Sequence, residues 1–224
     1  MISERQARKT IPRVLSSLEK KHGEPPPLPD GDALEMAIRI VLHEDSSEKA
    51  VAAAMRNLQR DFVDWNEVRV STPFQVARSI DSNGDAEGKA KELQALLRGV
   101  FQARNDVSLE FLREASASEA LEFFQNISEL GPVLTGKIMM LVLGHASIIV
   151  SPEVVRVCSR LDWVREDYDE VQVQKRLERL VTKSSMYLLY HVCKEHARKI
   201  CQAQNPKCKR CPVLKHCPYG RAAT

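Results

Sequence analysis

The chain has 224 residues, of which 43% are hydrophobic and 28% charged, with a net charge of +3. That length suffices for one domain or two small lobes with a buried core, and the composition is that of an ordinary soluble globule. No apolar run approaches the ~20 residues that span a bilayer, so a membrane protein is not expected. The charge is uneven: eight Lys or Arg accompany one acid between Lys194 and Arg221, which leaves the remainder net acidic. A basic segment on an acidic body suits contact with a polyanion at one end, although lysine and arginine also solvate loops poor in core residues.

In chain order, the pattern is almost entirely helical. Ile11, Val14, Leu15 and Leu18 recur at three- and four-residue spacing and predict a first helix. The stretch GEPPPLPDGD (23–32) cannot continue it, because consecutive prolines remove backbone donors and force extended geometry; it reads as a stiff linker. Leu34, Ile38, Val41 and Leu42 predict the next helix, and similar stripes run through 50–58, 93–100, 121–127, 138–143, 171–180 and 187–192. SNGD (82–85) and LGP (130–132) are further breaks. Ser151-Pro152-Glu153 reads as a helix start, with a capping hydroxyl, a proline in the first turn and an acid at the positive end. No internal repeat or low-complexity tract is evident.

Four cysteines close the chain. Cys201, Cys208, Cys211 and Cys217 stand at spacing C-x6-C-x2-C-x5-C within CQAQNPKCKRCPVLKHC. Thiolate sulfur is the soft ligand preferred by iron–sulfur clusters and by zinc. Zinc sites usually offer two close pairs separated by a longer excursion, whereas here one close pair is flanked by single cysteines. Disulfides are the third arrangement; the charged start MISERQARKT has no apolar segment of a secretory signal, which leads us to expect a reducing compartment. Ligand chemistry and spacing rank a [4Fe-4S] cluster first, with zinc and disulfides left open.

That spacing, closing a helical chain of this length, resembles the cluster loop of the endonuclease III family of DNA glycosylases. SIIVSPEVVRVCSRL (147–161) is similar to the family's strand-like entry, catalytic-aspartate position and following helix. LLYHVCKEHARKIC (188–201) is similar to the helix leading into the first cluster ligand, and IDSNGDAEGKAKEL (80–93) to the loop and helix that probe DNA. The likeness identifies the helix-hairpin-helix glycosylase superfamily. It implies an all-α, two-lobed fold: residues 1–32 and 146–224 would form an N-terminal helix with a cluster lobe, and 33–145 a six-helix lobe with a degenerate hairpin. It also implies a [4Fe-4S] cluster on the four cysteines. The cluster would order a loop whose Lys207, Lys209, Arg210 and Lys215 meet the DNA backbone, joined by Gly131 of the hairpin and by Lys89.

At four functional positions the chain departs from that family. The hairpin, roughly Leu-Pro-Gly-x-Gly in the family, corresponds to Ile127-Ser128-Glu129-Leu130-Gly131, with one glycine of two and a negative charge near the phosphate grip. Val133 takes the place of the catalytic lysine that would form a Schiff base with the sugar. Lys137 shares that helix face one turn on and is the candidate substitute. Ser151 takes the place of the catalytic aspartate, where a carboxylate would activate the attacking group and oppose cationic character on the sugar. Asp45, preceded by Glu44, and Asp85, followed by Glu87, occupy the positions that would fill the hole left by a flipped base. Acids there are repelled by phosphates, or are solvated helix-start residues.

The expected protein is therefore a catalytically silent or divergent relative that binds double-stranded DNA through its basic end. Two other readings are an active glycosylase or lyase using Lys137 with a carboxylate such as Glu153 or Asp45, and a protein-interaction or redox module without DNA function. A monomer in the cytoplasm, associated with the nucleoid, is expected. His43, His145, His191, His196 and His216 form no ligand spacing, and His196 adds nothing to a set of four thiolates. Cys158 and Cys193 sit on apolar helix faces and read as buried small hydrophobes, and Trp65 and Trp163 as core.

Overall fold

The structure, a computed structural model, describes residues 2–28, 30–43, 46–80 and 85–224. Among these the chain is all-α, with no strand. In order the helices are α1 (Glu4–His22), α2 (Ala33–His43), α3 (Glu48–Asp61), α4 (Trp65–Val70), α5 (Pro73–Ile80), α6 (Ala86–Arg104) and α7 (Phe111–Glu114). There follow α8 (Ala117–Gln125), α9 (Pro132–Lys137), α10 (Pro152–Arg160), α11 (Glu170–Leu180), α12 (Met186–Lys199) and α13 (Pro218–Ala222). None of the described helices is long and apolar enough to cross a membrane. The chain divides into two compact units, Met1–Pro27 with Ala146–Thr224, and Leu28–His145. The first boundary thus falls inside the proline linker, at 27/28 rather than 32/33.

In the unit formed by the two chain ends, α1 starts where the Ser3 hydroxyl accepts from the Gln6 N–H and Glu4 sits at the positive end of the helix. It stops at Gly23, whose φ of 93° a side chain would oppose. Ala7, Ile11, Val14, Leu15 and Leu18 form its buried stripe and pack against α11 and α12. A reciprocal capping box between Asp169 and Gln172 starts α11. Arg176 of α11 reaches back to Glu4 at 2.7 Å, and the Tyr187 hydroxyl donates to the Pro26 carbonyl at 2.9 Å. Trp163 is 1% exposed, and Cys158 and Cys193 are both buried, as expected of core residues. Contact with Cys158, together with burial, raises the Cys193 thiol well above its ordinary pKa, which keeps it inert. The stretch 147–151, expected to be strand-like, is irregular; Ile148, Ile149 and Val150 are buried without strand pairing.

Among the described residues, the unit formed by the middle of the chain holds the helices α2 to α9, with a π-helical turn at Ile138–Val142 continuing α9. Its core gathers Leu34, Ile38, Val41, Leu58, Leu93, Leu96, Leu97 and Phe124, with Trp65 packed at the edge. Buried polar groups tie short helices to long ones. The Gln94 amide, 1% exposed, donates to the carbonyls of Val68 (2.9 Å) and Ser71 (2.6 Å), closing the end of α4 onto α6.

Lys89 corrects an expectation. It does not face solvent: it is 4% exposed, and its ammonium donates to the Leu42 carbonyl (3.2 Å) and to Ser46 Oγ (2.6 Å). The carbonyls of the last turn of α2 lack helical partners, and a long flexible cation on α6 supplies one. Lys89→Met, which keeps the apolar stem but removes the donor, should therefore lower the unfolding free energy by about 1–3 kcal/mol, read by urea denaturation. DNA affinity should not change; a loss of affinity at full stability would contradict this placement.

Candidate metal centre and nucleic-acid surface

The segment after α12 has little apolar material of its own, so its course is set by hydrogen bonds. The His196 carbonyl accepts from both Ile200 N–H (2.9 Å) and Cys201 N–H (2.8 Å), which ends the helix at the first cysteine. Lys207 N–H returns to the Ile200 carbonyl at 2.9 Å and closes the six-residue excursion between the first two cysteines. A 3-10 turn, Cys208–Arg210, brings Cys211 N–H to the Cys208 carbonyl at 3.0 Å; a second, Leu214–His216, leads to Cys217. Pro218 begins α13, and the Cys217 sulfur accepts from the Gly220 N–H at 3.2 Å.

This path turns all four cysteines onto one pocket, walled by Val157, Leu161, Ile200, Pro206 and Val213. Two residues without a motif hold it from outside. Arg160 of α10 donates to Cys201 Sγ (3.3 Å) and to the carbonyls of Gln202 (2.8 Å) and Ala203 (3.2 Å), with its guanidinium 4.3 Å from the Tyr219 ring centre. One turn earlier Arg156 donates to the Cys201 carbonyl at 3.0 Å. His196 is 1% exposed; its Nε2 lies 3.5 Å from Cys211 Sγ and its Nδ1 3.0 Å from Nε2 of His22. Burial pushes the His196 pKa down to about 4, so the imidazole is neutral.

The donor set fits a sulfur cluster in its chemistry. Three of the four sulfurs receive a polar contact, from Arg160, His196 or the Gly220 N–H, and no carboxylate lines the pocket. Burial raises the Cys211 thiol to about 11 and raises Cys217 as well, so bare thiols here are protonated and poorly reactive. Among the described residues, no three His, Cys, Asp or Glu side chains are grouped to hold a single ion.

The positions expected to carry catalysis lie elsewhere. Ser151 is 5% exposed and caps α10, its hydroxyl accepting from the Val154 N–H at 3.4 Å. Val133 and Lys137 belong to the other unit; both are partly buried on α9, and Lys137 is engaged in an interaction of its own. Gly131 caps α9 with an ordinary negative φ of −63°, and a side chain there would meet nothing within 4 Å. Glu129, the acid in the hairpin, lies 3.8 Å from Arg98 on α6, which offsets part of its charge. Asp85 is an exposed N-cap, accepting from the Gly88 N–H at 2.8 Å, and Glu87 pairs with Lys91 at 2.8 Å. These two are helix-start residues in solvent. Glu44 and Asp45 lie outside the described residues. Lys207, Lys209, Arg210 and Lys215 are all exposed on and around the two 3-10 turns.

No protein-family model matches the chain. Among known proteins it is 26% identical over 180 residues to the DNA glycosylase/AP lyase ROS1 of Arabidopsis thaliana, across 73% of this chain and 13% of that protein. It is 23% identical over 187 residues to Endonuclease III of Bacillus subtilis, across 84% of this chain and 81% of that one. The chain spans only 9–15% of the length of four plant relatives that it matches. Among solved structures, a trapped endonuclease III–DNA covalent intermediate superposes with a TM-score of 0.78 at 21% identity, covering 100% of this chain and 99% of that one. A thermostable thymine-DNA glycosylase gives 0.73 at 17% identity, covering 97% and 98%. The fold is that of the endonuclease III-type helix-hairpin-helix glycosylases.

Arg160 makes a direct prediction. Replacing it with lysine keeps one charge but loses the planar fork that serves Cys201, Gln202 and Ala203 together. Arg160→Lys should loosen the loop to proteolysis, while Lys215→Ala should not. Intact protection in Arg160→Lys would contradict the role given to that fork.

Proposed function

We propose that this chain is a DNA-binding relative of endonuclease III that carries a [4Fe-4S] cluster on Cys201, Cys208, Cys211 and Cys217 and does not perform the family's lyase chemistry. The observation that carries the second half is Ser151: a buried, un-ionisable hydroxyl, spent on capping α10, stands at the aspartate position. Val133 supplies no nucleophile at the lysine position, and Lys137 is already engaged. The helix start is retained while the groups for general-base and covalent catalysis are absent from their places. A cluster, when bound, ties four points of one loop through iron and sulfur, and residues of this chain do the rest. Arg160 and His196 orient the sulfur ligands, and Lys207, Lys209, Arg210 and Lys215 offer charge to backbone phosphates. Two neighbouring structures are of endonuclease III with DNA, one a trapped covalent intermediate and one non-covalent, and they support DNA as the ligand. The proposed compartment is one that holds DNA and keeps thiols reduced.

Cluster-loaded protein should bind undamaged duplex in a salt-dependent way, each phosphate contact adding about 0.9 to the slope of log affinity against log salt. Reversing charge with Lys209→Glu and Arg210→Glu should make that slope shallower by about 2, as read by fluorescence anisotropy. Absence of binding at low salt would remove DNA as the ligand, and turnover of any damaged duplex would overturn the silent reading. The double change Val133→Lys, Ser151→Asp should recover no more than trace strand cleavage, because Asp85 still presents charge where an apolar wedge is needed; robust cleavage on a gel would show that the wedge position does not limit the scaffold.

A further inference from the structure

The end of the cluster unit holds a second concave feature beside the sulfur pocket. Lys21 and His22 at the end of α1, Lys199 and Ile200 at the end of α12, and Lys207 and Arg210 from the loop enclose a cavity of about 200 Å³. These residues come from three separated stretches, so their convergence is a product of the fold and has no motif in the sequence. Four of the six carry full positive charge. Glu195, the acid beside Lys199, is shared between Lys199 and Arg198, which hold its carboxyl down to about 2. Among the described residues, Lys21, Lys207 and Arg210 pair with no carboxylate.

Two helix C-termini explain part of the cluster, because the carbonyl end of a helix attracts cations. That accounts for Lys21 and Lys199. It does not account for Lys207 and Arg210, which arrive from the loop and add like charge to a site already positive. Gathering cations around a concavity is self-repulsive, and an anion seated among them relieves the repulsion. Arg210 offers a planar fork suited to two oxygens of one group, the lysines add mobile point charges, and the His22 imidazole, held against His196 at 3.0 Å, forms the wall.

We propose that this pocket is a phosphate-binding site, built by α1 and α12 as well as by the loop, and that its occupant is a backbone phosphate of DNA. The choice of DNA as the source rests on the proposed function above; the phosphate chemistry does not. The test uses the full, cluster-loaded chain and the variant Lys21→Gln, Lys199→Gln, neither residue being part of the loop. Two probes are applied: inorganic pyrophosphate by calorimetry, and an undamaged duplex across a salt series. The variant should lose pyrophosphate binding and show a duplex slope shallower by about 1, the contribution of a single phosphate contact. Lys20→Gln, with the same loss of charge one residue from Lys21, should change neither. Loss of pyrophosphate binding with an unchanged duplex slope would keep the phosphate site and overturn DNA as its source. If wild-type protein binds no duplex, the proposed function fails while the pyrophosphate arm still decides the site. Pyrophosphate binding that is absent from wild type, or equal in both proteins, together with an unchanged slope, would overturn the proposal. Should the double variant fold poorly, Lys21→Gln alone, at an exposed helix end, repeats both measurements.

Discussion

The C-terminal segment depends on polar bonds that converge on sulfur. Between residues 200 and 217 only Ile200, Val213 and Cys217 are buried hydrophobic residues, too few to hold eighteen residues by packing alone. What holds the path is a set of donors placed by other helices: Arg156 and Arg160 from α10, His196 from α12, and the first turn of α13 under Cys217. Those helices belong to the unit that α1 completes, so the N-terminal helix contributes to the loop's geometry through α12 and through the His22–His196 pair. A cluster on these cysteines would be one more tether on a frame the protein already supplies.

The same frame accounts for how structure and chemistry can part company. In the proposed reading, position 151 would have two jobs: starting a helix and presenting a carboxylate. Serine keeps the first, because a hydroxyl caps an N-terminus as well as a carboxylate does, and abandons the second. Asp85 is the mirror case. It caps α6 well, and in the proposed reading the same charge makes it a poor wedge against a phosphate-lined groove.

The long elements were legible because their apolar stripes run over two turns or more, as in Ile11–Leu18 of α1 and Leu93–Val100 of α6. Helices α4, α5 and α7, at 6, 8 and 4 residues, are too short to show a period; α4 and α5 are fixed by contacts with α6 and by caps such as Asp64. The all-α class and the convergence of the four cysteines could be read from spacing. The fate of individual polar side chains could not: Lys89 looks like a surface cation until α2 is seen to end against it, and His196 looks redundant until its ring is placed between His22 and Cys211. Arg156 and Arg160 did carry a signal, two arginines one turn apart on a helix whose other face is buried, but nothing in the sequence names the loop they would grip.

The central claim is that a glycosylase scaffold persists here without its covalent chemistry. Its most direct test is borohydride trapping with an abasic duplex, at a protein concentration where binding is seen independently by gel shift. The account predicts a shifted, bound complex and no covalent adduct. An adduct that forms in proportion to binding, and disappears in Lys137→Ala, would contradict it.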